Sequence, residues 1–259
     1  MNSFNVEATI TSGQCFRFRN NGGVFTVYSG VDENVKSIQI SQDTSETLFN
    51  NEYWSNFFDL QTDYKAIEKE FSSINPIMEE ACAYAPGIRI LNQNPWEALC
   101  SFVVSQNNNI KRIMGIVDRM CNSFGKTNAE GIHGFPCAQA LANASEEDLR
   151  ATGLGFRVPY IINVSRAVAD GKINFDELRT SDISQARRIL MNIKGIGPKV
   201  ADCALLFGCH RLDCFPVDTW MKKVMETYFP GQDGTIFGRY AGVAQQYLFH
   251  WARTGEKFK

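Results

Sequence analysis

Apolar residues fall into two different rhythms along this chain. Over the first fifty positions they come in short runs. Val24-Phe25-Thr26-Val27-Tyr28 is rich in strand-forming residues and follows Asn21-Gly22-Gly23, a turn signal. Positions 35–40 alternate, with Val35, Ser37 and Gln39 against Lys36, Ile38 and Ile40. The opening segment therefore predicts strands and turns that pair into an antiparallel sheet. From about position 46 the spacing becomes helical, with Tyr64, Ile67, Glu68 and Phe71 on one face. Pro95 suits a first helical position and leads into Trp96, Leu99, Cys100, Val103 and Val104 on a shared face. Asn107-Asn108-Asn109 breaks the apolar run. Ile110, Ile113, Met114, Val117 and Cys121 then mark a second amphipathic helix. Further helices are predicted over 146–151, 158–169, 184–192, 198–207, 219–228 and 240–252. The predicted fold class is α+β. A small N-terminal antiparallel β-rich domain with short helices, residues 1–92, precedes a mostly α-helical domain, residues 93–259.

Composition narrows the class. The chain has 259 residues with 44% hydrophobic and 21% charged, the balance of a protein with a sizeable core. Its longest apolar runs, such as 98–104, are too short to cross a bilayer. The start, MNSFNVEATITSGQ, has neither a basic opening nor a long apolar stretch, so no secretory signal is expected. These features predict an intracellular protein with no membrane partner. None of the eight cysteines forms a CxxC pair, so no zinc site is expected, and an intracellular chain of this size is not expected to carry a disulfide framework. They read instead as small buried apolar residues. A net charge of −2 excludes a protein that holds nucleic acid by bulk charge, though not one with a local basic face.

The chemistry concentrates in ILMNIKGIGPKVADCALLFG at 189–208. Two predicted helices flank Gly195-Ile196-Gly197. Glycines permit the turn and leave backbone N–H groups bare at a helix start, where a phosphate can approach. Pro198 fits the first helical position. Lys199 then falls in the first turn, where the helix dipole and partial burial favour a neutral, nucleophilic amine. Further on, Asp218 in FPVDTW precedes an amphipathic helix with Met221, Val224, Met225 and Tyr228 on one face. It is placed to cap that helix and also to stabilise positive charge developing on a sugar. Taken alone, each feature also fits a tight interhelical turn, a surface lysine and a simple cap.

Together, GIGPKVADCALLFG and FPVDTW resemble the active-site signature of the helix-hairpin-helix glycosylases with a Gly/Pro-rich loop and an aspartate. Within that superfamily the chain is most similar to the 8-oxoguanine DNA glycosylases. SGQCFRF at 12–18 resembles the family's N-terminal segment, and SQNNNIKRI at 105–113 its asparagine-rich loop. HGFP at 133–136, LGFR at 154–157 and AGVAQQYLF at 241–249 also match, in the family's order and over nearly the whole chain.

The resemblance implies a bifunctional glycosylase and AP lyase acting as a monomer on double-stranded DNA that contains 8-oxoguanine, preferably opposite cytosine. The damaged nucleotide is flipped out of the stack. Lys199 attacks its sugar and forms a Schiff base, Asp218 stabilises the charge, and β-elimination nicks the strand. No metal or organic cofactor is implied. The four-cysteine iron–sulfur cluster of some DNA glycosylases does not fit the spacing of Cys203, Cys209 and Cys214. Gly13, Cys203, Phe207, Gln245 and Phe249 are implied to form the base pocket, with the Gly13 carbonyl accepting from the N7–H that distinguishes 8-oxoguanine. Asn107, Arg112 and Arg157 match the residues that fill the vacated space and read the opposite base, with Phe156 as the wedge. Gly195, Gly197 and Trp220 are implied to meet DNA phosphate. Trp220 stands where histidine is familiar and Phe207 where methionine is common, so the phosphate grip and pocket floor depart from the family pattern. A bacterial, nucleoid-acting enzyme fits the lack of a basic tail.

Two other readings remain open on the residues alone. A same-fold glycosylase for alkylated purines uses water and needs no lysine at position 199. A non-catalytic module that grips phosphate with its hairpin needs neither Lys199 nor Asp218.

Overall fold

A computed structural model describes residues 4–255. Asn5 accepts from the Ala8 amide at 2.9 Å and caps helix α1, Val6–Thr11. The opening residues are thus helical before they are extended, which corrects the expectation of strands and turns alone. A six-residue helix shows little periodicity in sequence, and this one is held by its cap and by the burial of Val6, Ala8, Thr9 and Ile10.

Strands β1 (Phe18–Asn21), β2 (Val24–Ser29) and β3 (Lys36–Ile40) form one antiparallel sheet in the order β1-β2-β3. Phe18 pairs with Val27, and Phe25 with Ile40. That register puts Phe25, Val27 and Ile40 in a small core with Phe4, Ile10 and the aromatic residues of the next helix. The helices that follow are α2 (Glu52–Phe57), α3 (Tyr64–Ser72), α4 (Pro76–Tyr84), α5 (Pro95–Ser105) and α6 (Ile110–Phe124). Short α7 (Ala138–Asn143) and α8 (Glu146–Ala151) lead to α9 (Val158–Ala169), α10 (Phe175–Thr180) and α11 (Ile183–Met191). The last three are α12 (Pro198–Gly208), α13 (Thr219–Tyr228) and α14 (Ala241–Thr254).

The large core centres on α5 and α12. Every residue from Trp96 to Val104 is buried, as is every residue from Val200 to Gly208. The pair runs antiparallel: the Gln93 amide just before α5 donates to the Phe207 carbonyl at the end of α12 (3.0 Å), while Ser105 at the far end of α5 meets Lys199 at the start of α12 (3.1 Å). Arg17 and Glu97 tie the sheet to this pair through a buried salt bridge of 3.2 Å. Burial pushes the Glu97 carboxyl up, and Arg17 pulls it back. Seven of the eight cysteines are buried, Cys137 is half-buried, and all are free. Among the described residues no helix is long and apolar enough to cross a membrane, and no group of three or more His, Cys, Asp or Glu could hold a metal ion.

Candidate active site

The hairpin between α11 and α12 is fixed from outside as well as by its own turn. Gly195 has φ +108°, and a Cβ there would lie 2.4 Å from Cγ of Tyr160, so a side chain fits neither the backbone nor the space. Gln106 donates to the Gly195 carbonyl at 3.0 Å, and Asn163 to the Lys194 carbonyl at 3.2 Å. Gly197 caps α12 and has open space beside it, leaving the helix start accessible. Lys199 follows Pro198 and is half-buried.

Lys199 opens into a cleft of about 660 Å³ shared by Gly13, Asn107, Asp218, Trp220 and Phe249. The volume suits one small ligand or an extruded base. Asp218 reaches the cleft because it ends the loop before α13. Its Oδ1 accepts from the Met221 amide at 2.9 Å as the N-cap, while the carboxylate remains half-exposed to the cleft. Gly13 sits opposite with φ +81°, and a Cβ there would approach Phe249 to 3.5 Å and Arg253 to 3.3 Å. Only glycine keeps that wall thin without backbone strain.

The other implied pocket residues stand behind this surface. Cys203 is 3% exposed, and burial pushes its thiol up to about 11 although the Lys199 ammonium pulls it down. It is therefore an uncharged thiol near neutral pH. Phe207 is buried and stacks on Phe102, 5.2 Å between centroids and 22° between planes. It lies behind Phe102, which lines the cleft. Gln245 is buried, and its Oε1 has no hydrogen-bond partner among the described residues. An orphan amide oxygen carries a real desolvation cost unless a ligand satisfies it.

A second group gathers around the asparagine-rich loop. Asn107 adopts φ +47°, a left-handed conformation that asparagine tolerates better than most residues, and is exposed. Its backbone is held by Arg157, which is 2% exposed and donates to the carbonyls of Gln106 and Asn107, the latter at 3.0 Å. Arg157 is thus a buried clamp, not the solvated loop residue its sequence context would allow. Burial, and then the like charge of Arg112, hold its guanidinium below the ordinary arginine range. Arg112 itself is exposed on the first turn of α6. Phe156 is 53% exposed with the Arg157 guanidinium 4.3 Å from its ring centroid, an apolar residue presented to solvent beside the clamp.

Five residues that the sequence reading did not single out belong to the site. Gln14 is buried and donates to the Thr9 and Arg89 carbonyls at 2.9 and 2.8 Å while accepting from the Leu91 amide at 2.8 Å, which fixes the loop carrying Gly13. Gln106 couples the asparagine-rich loop to the hairpin. Phe102 and Ser105 surround the Lys199 amine. Gln14, Ser105 and Gln106 lie inside the matched segments, so the signal was present without a role attached. Arg253 carries no motif at all. It lines the cleft with its guanidinium 5.5 Å from the Phe249 ring, where burial lowers it and Asp218 opposes the shift.

Residues 1–99 match the 8-oxoguanine DNA glycosylase N-terminal domain, and residues 100–234 match the HhH-GPD superfamily base excision DNA repair protein. The chain belongs to the HhH-GPD superfamily of base excision DNA repair proteins, in the branch that carries the 8-oxoguanine DNA glycosylase N-terminal domain. It is similar to the N-glycosylase/DNA lyase of Saccharomyces cerevisiae, 37% identical over 61% of this chain and 43% of that one. The match thus spans less than half of the yeast protein. Among solved structures it is similar to MBOgg1 in complex with a low-affinity DNA ligand, with a TM-score of 0.85, 37% identity and coverage of 98% and 93% of the two chains. It is also similar to the Clostridium acetobutylicum 8-oxoguanine glycosylase/lyase in complex with double-stranded DNA containing cytosine opposite 8-oxoguanine. There the TM-score is 0.83 and the identity 31%, with the same coverage.

Proposed function

We propose that this protein is a bifunctional DNA glycosylase and AP lyase that removes 8-oxoguanine from duplex DNA. The observation that carries the reading is the convergence of Lys199 and Asp218 on one cleft of about 660 Å³ beside an accessible helix-hairpin-helix. The hairpin amides grip backbone phosphate, with Gly195, Gly197 and Trp220 nearest. The lesion is flipped into the cleft, between Phe249 on one side and the Cys203 side on the other. The Gly13 carbonyl accepts from N7–H, and the orphan amide of buried Gln245 takes the pairing edge of the base. The Lys199 nitrogen bonds to the anomeric carbon as the glycosidic bond breaks. Asp218 stabilises the positive charge that develops on the sugar. The sugar then opens to an imine on Lys199, and β-elimination breaks the strand 3′ to the lesion.

The same proposal keeps the division into residues 1–92 and 93–259, and a monomer, since one flipped base needs one cleft. The working place is inside the cell, at the nucleoid if the source is bacterial. Lys199→Gln tests the reading. Base excision and covalent trapping by sodium borohydride should both vanish while duplex binding survives, because an amide forms no imine. Substantial trapping by this variant would remove Lys199 from the role.

A further inference from the structure

Lys199 makes no ion pair with Asp218 in this structure; its amine is held from the other side of the cleft. Nζ donates to Oγ of Ser105 at 3.1 Å and lies 5.2 Å from the Phe102 ring centroid. Ser105 and Phe102 sit three residues apart on the last turn of α5, so both face α12. The Ser105 hydroxyl proton has its own destination, the Phe102 carbonyl at 2.7 Å. Ser105 therefore presents only lone pairs to Lys199.

We propose that Ser105 is a positioning residue for the nucleophile, which fixes the direction of the Lys199 lone pair. A neutral amine that donates one N–H to Ser105 cannot point its lone pair at the same oxygen, because no proton there is free to meet it. The lone pair is left two staggered directions about the Cε–Nζ bond, of which one meets Phe102 and the other the open cleft. Phe102 closes the adjacent direction with an apolar face, and its ring is backed by Phe207. The antiparallel packing of α5 on α12 sets the distance, so the alignment is built into the core before DNA arrives. Misalignment of a reacting group by about 1 Å costs up to roughly a hundredfold in rate. The inference rests on the Schiff-base reading of Lys199.

The test compares Ser105→Ala with an isosteric pair, Ser105→Thr and Ser105→Val, which share a shape and differ in the hydroxyl. Each is assayed by single-turnover excision on an 8-oxoguanine·cytosine duplex, by borohydride trapping, by affinity for a duplex carrying a tetrahydrofuran abasic analogue, which has no aldehyde to react with Lys199, and by thermal midpoint. Lys199→Gln runs alongside. Ser105→Ala and Ser105→Val should each lose about tenfold or more in the single-turnover rate and in trapping, at unchanged affinity for the analogue duplex. Ser105→Thr should recover most of that loss. Equal rates for the Thr and Val variants overturn the proposal, since the hydroxyl then does nothing that shape does not. A loss in thermal midpoint and affinity with an unchanged single-turnover rate also overturns it, in favour of a helix-end role. Trapping by Lys199→Gln defeats the underlying reading instead, and the two failures are thus distinct.

Discussion

Asp218 shows how one carboxylate carries two duties. One oxygen accepts from the Met221 amide and starts α13, while the group stays open to the cleft that holds Lys199. The two duties separate by substitution because asparagine caps a helix about as well as aspartate but carries no charge. Asp218→Asn should therefore leave the thermal midpoint close to wild type and slow excision by roughly two to four orders of magnitude. Parallel unfolding curves and single-turnover rates check this, and a fall in stability with an intact rate would reduce the residue to a cap. The places of Lys199 and Asp218 at helix starts are legible in the sequence because the signals are local: a glycine turn and a proline at the helix start for Lys199, a cap position before an amphipathic run for Asp218. The pocket behind them is not legible from spacing. Gln14 fixes the Gly13 loop through Thr9, Arg89 and Leu91, and Arg253 approaches Gly13 from the far end of the chain. Contacts at such separations leave no periodic trace.

Elements long enough to show a face are legible in the sequence, and a short one is legible where a cap announces it, as at 146–151, which coincides with α8 (Glu146–Ala151) behind its Ser145 cap. The predicted spans 158–169 and 219–228 coincide with α9 (Val158–Ala169) and α13 (Thr219–Tyr228). Helix α1 and strand β1 went unread because six and four residues hold too few apolar positions for a period to appear. Their existence is decided by a cap and by pairing with β2, which are tertiary facts. The hairpin sits between these cases. Its glycines announce a turn, yet the sequence cannot show that Tyr160 of α9 occupies the space beside Gly195. Gly195→Ala must accept a φ near +108° and displace that ring. Strain at such a backbone position alone costs about 1–3 kcal/mol. We expect a thermal midpoint lower by several degrees, at roughly 2–4 °C per kcal/mol for a chain of this size, and weaker duplex binding. An unchanged midpoint would mean that the hairpin is free to rearrange.

At the scale of the whole molecule, three separate segments meet near the asparagine-rich loop, the α5–α6 loop, the start of α9 and the hairpin, and under the proposed function this surface is the one expected to discriminate the base opposite the lesion. Excision is restorative when cytosine faces 8-oxoguanine and mutagenic when adenine does. An unpaired cytosine offers O2 and N3 as acceptors, while adenine places an amino donor against arginine donors. Each unmatched buried group costs about 1–3 kcal/mol, and every 1.4 kcal/mol is about tenfold. The two arginines are not equivalent in their ability to supply those donors. Arg157 is buried, and its guanidinium is engaged by the Gln106, Asn107 and Leu154 carbonyls. Arg112 is exposed, and its side chain has no hydrogen-bond partner among the described residues. The direct reader should therefore be Arg112, with Arg157 holding the loop that presents Asn107. Arg112→Ala should leave the thermal midpoint unchanged and lower the cytosine-to-adenine rate ratio by about tenfold. Arg157→Ala should instead destabilise the fold by about 1–3 kcal/mol, because it strands those carbonyls, and should slow excision opposite every base. Single-turnover excision from duplexes with each of the four opposite bases, run for both variants, separates the roles. Equal wild-type rates opposite cytosine and adenine would defeat the discrimination itself. A ratio that collapses only in Arg157→Ala would move the reading head from α6 to the start of α9.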